Sequence, residues 1–90
     1  MTFSNLIAYS NKLNTFSAAD IKEVAANDIN NIKEVAHLLK GHSLTMFFRT
    51  LNKLALSLES HAINNDYMGI SLQIENVIKE IDNLIETYLN

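Results

Sequence analysis

A chain of 90 residues with 48% hydrophobic and 19% charged residues, no cysteine and a net charge of −3 has the size of one small globular domain. This composition excludes disulfides, zinc ribbons and thiol chemistry, and the negative balance argues against nucleic acid as a partner. No run of 18 apolar residues offers a membrane span, and the start Met-Thr-Phe-Ser-Asn lacks the basic and apolar regions of a signal peptide, so a cytoplasmic protein without membrane association is expected.

With no proline and only two glycines, the chain suits helices, and no strand alternation stands out. Ser4 can cap a first helix to about Leu13, with Phe3, Leu6, Ile7 and Leu13 apolar and a break at Asn14-Thr15. Ser17-Ala18-Ala19-Asp20 has the form of a capping box, starting a second piece through Ile21, Val24 and Ala25. The alternative is one long helix from Ser4 to Ala26, since neither glycine nor proline forces a break. Asn27-Asp28 then punctuates, with Asn suited to a left-handed helix end and Asp to the next N-cap.

A helix is expected from about Ile29 to His42 or beyond, with Ile29, Ile32, Val35, Ala36 and Leu39 as its apolar stripe. The next should cover about Thr45 to Ile63, on Phe47, Leu51, Leu54, Ala55, Leu58 and Ala62. Asn65-Asp66 repeats the earlier punctuation. The last helix carries Tyr67, Ile70, Ile74, Val77, Ile81, Leu84 and Tyr88 in alternating steps of three and four, widened by Ile78 and Ile85. Short connections make neighbours antiparallel. The expected fold is all-α, an antiparallel up-down four-helix bundle with room for a short extra N-terminal helix, forming a single domain over residues 1–90.

Chemistry concentrates in Ala36-His37-Leu38-Leu39-Lys40-Gly41. His37 lies roughly 140° from the apolar line of its helix and so faces water. Lys33 sits one turn before it and Lys40 just under one turn after, spaced to share its face. Gly41, at i+4, leaves a gap beside the ring. An exposed imidazole is largely unprotonated near neutral pH, and its free nitrogen can attack an acyl phosphate. Two flanking lysines can neutralise part of a phosphoryl group's charge. The plain alternative is a solvent-facing histidine and lysines on a solvated helix face, with Gly41 marking a helix end.

The same run resembles the H-x-L-K-G signature of the histidine-containing phosphotransfer (HPt) domain family. Ala36 before the histidine, Leu51, the pair Leu58-Glu59 in the next helix, and Asp28 and Asp66 near helix starts extend the resemblance from about Asp28 to the C-terminus. It implies a free-standing phosphocarrier that takes a phosphoryl group from a receiver-domain aspartate and passes it on. It also implies that His37 is the phosphoacceptor, that Lys40 and Lys33 steady the phosphoryl group, and that Gly41 gives access. The partners implied are response-regulator receiver domains and a hybrid histidine kinase, with any Mg²⁺ belonging to the receiver and no cofactor or metal held by the chain itself. The chain carries no nucleotide-binding glycine motif, so no autonomous kinase activity is expected.

Two positions depart from the family. The first small position after Lys-Gly is His42, and the glycine position ten residues beyond the histidine is Phe47. Phe47 falls on the apolar stripe of its helix, so the packing between the two central helices should differ. His42 lies on another face from His37, which excludes an i, i+4 metal pair, and a structural role is expected for it. His61 flanks its stripe and should be half-buried and hydrogen-bonded. Leu38, Leu44 and Leu56 fall off the stripes. Leu44 lies on the His37 side and could form a docking surface with Gly41. The competing function is a helical interaction module without chemistry, an adaptor or a kinase- or receiver-binding regulator. In that role the chain would be a degenerate HPt domain whose last helix packs on a partner helix. A monomer is expected, with a homodimer through that helix as the alternative.

Overall fold

The computed structural model describes residues 3–17 and 26–89, which form four α-helices: α1 (Phe3–Ser17), α2 (Ala26–Thr45), α3 (Arg49–Ile63) and α4 (Tyr67–Leu89). They make an all-α bundle.

The direction of each helix follows from its contacts. On α2 and α3, Lys40 meets Asn52 and Glu59, while His37, earlier on α2, meets only Glu59, later on α3, so the two run antiparallel. The start of α1, the start of α3 and the end of α4 meet at one end of the bundle. There Phe3, Phe48 and Tyr88 form a ring cluster with centroids 5.7–6.1 Å apart. The order is therefore up-down-up-down. The Tyr9 hydroxyl meets His42 Nδ1 at 3.2 Å, tying α1 to the last turns of α2.

The core is the set of stripes facing inward. Ile29, Ile32, Val35, Ala36 and Leu39 are buried on α2, and Leu51, Ala55, Leu58 and Ala62 on α3. Ile70, Ile74, Val77, Ile81 and Leu84 are buried on α4, with Ile78 and Ile85 half-buried against them. On α1 the buried line is Leu6, Ser10 and Leu13, with Tyr9 and Phe16 packed beside it, while Ile7 faces outward.

The N-terminal third differs from the expectation. α1 runs unbroken through Asn14-Thr15, because Leu13 and Phe16 on either side are held by the core. Thr15 also spends its hydroxyl on the Lys12 carbonyl within the helix, at 2.7 Å. The second piece expected over 17–26 lies outside the described residues, except that Ser17 ends α1 and Ala26 already belongs to α2. Asn27 and Asp28 are therefore inside α2, not a boundary before it. Asp28 stands in the first turn, where its charge suits the positive end of the helix dipole.

The two described connections, Met46–Phe48 and Asn64–Asp66, share one geometry. After α2, Phe48 N–H bonds the Ser43 carbonyl at 2.9 Å and Phe47 N–H the Leu44 carbonyl at 3.2 Å. After α3, Asp66 N–H bonds the His61 carbonyl at 2.9 Å and Asn65 N–H the Ala62 carbonyl at 3.2 Å. Both are Schellman motifs, and their left-handed residues are Phe47 (φ 61°) and Asn65 (φ 54°). Asp66 then caps α4 by accepting from Gly69 N–H at 3.1 Å, as expected of it.

Phe47 corrects the reading of α3. It lies in the turn before the helix and is 86% exposed, off the core stripe. Helical periodicity placed it one turn before Leu51, but the left-handed backbone swings its side chain out.

Candidate functional site

α2 and α3 build the site together. α2 buries Val35, Ala36 and Leu39, which turns His37 outward with 68% of its side chain exposed. α3 buries Leu58, which sets Glu59 at the seam between the two helices with 18% of its side chain exposed. There Glu59 Oε2 lies 3.2 Å from His37 Nδ1, and Oε1 accepts from Lys40 Nζ at 2.9 Å.

This geometry fixes the chemistry of the ring. A carboxylate only accepts, so Nδ1 carries the proton and donates it. In the neutral imidazole, Nε2 then keeps a free lone pair. With Nδ1 occupied by Glu59, the open edge of the ring is the Nε2 edge. The Lys40 ammonium bonded to Glu59 holds its carboxyl below the usual carboxylate range. Burial opposes this, and the His37 hydrogen bond adds to it. Glu59 is therefore ionised at neutral pH and anchors both partners.

The expected residues are placed as follows. His37 and Lys40 meet through Glu59. Lys33 is half-exposed on α2 and forms no hydrogen bond or ion pair with a described residue. Gly41 lies inside α2, four residues before its end, so it does not terminate the helix. A β-carbon there would meet nothing within 4 Å, so neither packing nor backbone conformation requires glycine. Leu44 is 68% exposed on the same side of α2. Asn52 donates to the Lys40 carbonyl at 2.9 Å and joins the start of α3 to the same turn of α2.

The other histidines have structural partners. His42 is half-buried against Tyr9, with ring centroids 5.7 Å apart. His61 Nδ1 lies 3.0 Å from Asp66 Oδ2, and its ring covers Gly69. Among the described residues, no three metal-ligating side chains gather into a cluster, and no helix is long and apolar enough to cross a membrane.

Glu59 is the functional group that the sequence does not single out; there it stands only beside Leu58 in the resemblance. The signal that points to it is its place one residue past a buried leucine, on the edge of its helix's stripe. Pairing it with His37 required the register between two helices, which neither helix carries alone.

No family model matches the chain, and no solved structure matches it. Among curated proteins the chain is similar to the phosphorelay protein LuxU of Vibrio cholerae serotype O1, with 25% identity over 77 residues that cover 86% of this chain and 68% of that protein. The four-helix bundle thus has, over most of its length, a weak likeness to a phosphorelay protein.

Proposed function

We propose that this chain is a histidine phosphotransfer protein of a two-component phosphorelay, acting as one domain over residues 1–90 and carrying a phosphoryl group on His37 between receiver-domain aspartates. The observation that carries the reading is the contact of His37 Nδ1 with Glu59, on an imidazole whose other nitrogen is open to solvent. The likeness to a phosphorelay protein supports the same reading at the level of the pathway class.

In the transfer, the Nε2 lone pair attacks the phosphorus of an aspartyl phosphate. A P–N bond forms, the P–O bond to the aspartyl carboxyl breaks, and its electron pair leaves with the aspartate carboxylate. The ring, protonated at Nδ1 and phosphorylated at Nε2, becomes cationic, and Glu59 balances that charge. Lys40, already held at the seam, offers its remaining ammonium protons to the phosphoryl oxygens, with Lys33 one turn away on α2. Gly41 and Leu44 form the approach for the partner. The phosphoryl group comes from a receiver domain or a hybrid kinase, and the return step is the same reaction reversed.

The test is intact-mass analysis after mixing the chain with phosphorylated receiver domains and Mg²⁺. The expected result is a gain of one acid-labile phosphoryl group in the wild type and none in His37→Gln. No gain in the wild type, or an equal gain in His37→Gln, overturns the reading. Binding of receivers without any gain would assign the chain to docking alone.

A further inference from the structure

The corner between α2 and α3 carries two costs that folding alone would remove. Phe47 holds a left-handed backbone (φ 61°), a region that bulky side chains rarely adopt and that glycine or asparagine fills readily. Its ring gains nothing from burial in return, being 86% exposed. Beside it stands Leu44, also exposed. Together with Ser43, Arg49, Asn52 and Lys53 they line a cleft of about 340 Å³. Two cations and no carboxylate line this cleft, in a chain whose net charge is −3. No acidic residue stands in the first turn of α3 to offset Arg49.

The cleft belongs to the same face as His37. Leu44 follows His37 by two helical turns, about 10 Å along the axis at 1.5 Å per residue. A specific interface of roughly 800 Å² per partner is about 30 Å across, so a partner centred on His37 also covers this cleft.

We propose that Phe47 is the specificity anchor by which this chain selects its receiver domain. Its ring and Leu44 seat against an apolar patch of that domain, and Arg49 and Lys53 face the carboxylates around its phosphorylation site. The proposal rests on the reading of His37 as phosphoacceptor. The occupant follows from charge: a domain that holds an aspartyl phosphate with a divalent cation must gather carboxylates around it. The face it brings to His37 is therefore negative, and the cleft presents the opposite sign.

The experiment is calorimetric titration of the full chain with each isolated receiver domain of the host, at low and high salt, for wild type, Phe47→Gly, Phe47→Asn and Arg49→Gln/Lys53→Gln. Both Phe47 variants suit a left-handed position, so each should melt at or above the wild-type temperature, and a loss of binding cannot be assigned to misfolding. The expected result is binding at least about tenfold weaker for both Phe47 variants, as for a truncated aromatic anchor. The Arg49/Lys53 variant should lose most of the salt dependence. Wild-type affinity in the Phe47 variants overturns the proposal. So does a concentration-dependent dimer that Phe47→Gly abolishes, since the occupant would then be a second copy. Transfer to wild-type His37 from a phosphorylated receiver that binds it, read by intact mass, separates the two readings. With transfer intact and wild-type affinity in the Phe47 variants, the anchor assignment fails alone. With no receiver able to transfer to His37, the proposed function fails too.

Discussion

Glu59 uses its two oxygens differently, one on the imidazole and one on the ammonium of Lys40. On the proposed phosphocarrier reading, Glu59→Gln keeps an acceptor for Nδ1 but removes the charge that would balance a phosphorylated ring. Transfer to His37 should slow about a hundredfold or more, the usual scale for a group that assists proton or charge placement. The stability effect at neutral pH should stay near 1 kcal/mol, because the seam is partly open to solvent. The pH dependence has a definite sign. Because the folded carboxyl is held below its ordinary value, the unfolded state binds the proton first as pH falls. The stabilisation is complete above the ordinary glutamate range and is lost as pH drops through the folded value. Urea midpoints should therefore fall more between pH 7 and pH 4 in the wild type than in Glu59→Gln. Gly41 offers a contrasting case. With open space around its α-carbon, Gly41→Ala should raise stability by up to about 1 kcal/mol in thermal or urea melts. Gly41 shares the helix face of His37, so on the proposed reading the added methyl meets the approaching receiver, and phosphoryl transfer should slow in the same variant.

At the scale of the elements, the two connections solve one problem with different residues. Asn65 accepts the left-handed position that ends α3, and Asp66 both caps α4 and pairs with His61. The His61 ring then lies directly over Gly69, where a β-carbon would collide with it and with Asp66. A glycine inside a helix ordinarily gains stability when replaced by alanine. Here the sign should reverse: Gly69→Ala should lower the urea midpoint, by about 1–3 kcal/mol in stability, by forcing His61 off Asp66. His61→Ala/Gly69→Ala should recover part of that loss, because the obstructing ring is gone. Simple additivity of the two single changes would contradict this account. The α2–α3 connection places Phe47 where Asn65 stands in the other, and nothing in the turn itself calls for an aromatic ring.

The whole molecule is a bundle whose layout was largely legible in the chain. The stripes on α2, α3 and α4 were readable because each buried face repeats at the helical period: the stripe residues from Ile29 to Leu39, Leu51 to Ala62 and Ile70 to Leu84 are buried except Leu54, which like Tyr67 is half-buried, while Tyr88 at the end of the α4 stripe is exposed. The outward placement of His37 followed from the same arithmetic, as did the capping role of Asp66. The N-terminal third was less legible because its polar pair Asn14-Thr15 looks like a break, whereas packing of Leu13 and Phe16 carries α1 through it. Phe47 was misplaced because periodicity assumes a continuing helix, and a single left-handed residue resets the phase. What the sequence alone determined is the class of fold, the inward faces and the exposure of one histidine between lysines, since these depend on the spacing of residues along single helices. What only the tertiary structure decided is the meeting of Glu59 with His37 and Lys40, the basic cleft beside Phe47 and the clamp of His61 over Gly69. Each joins residues from different helices or from either side of a turn, and the distance between them is set by the register of packed helices and by the path of the turns.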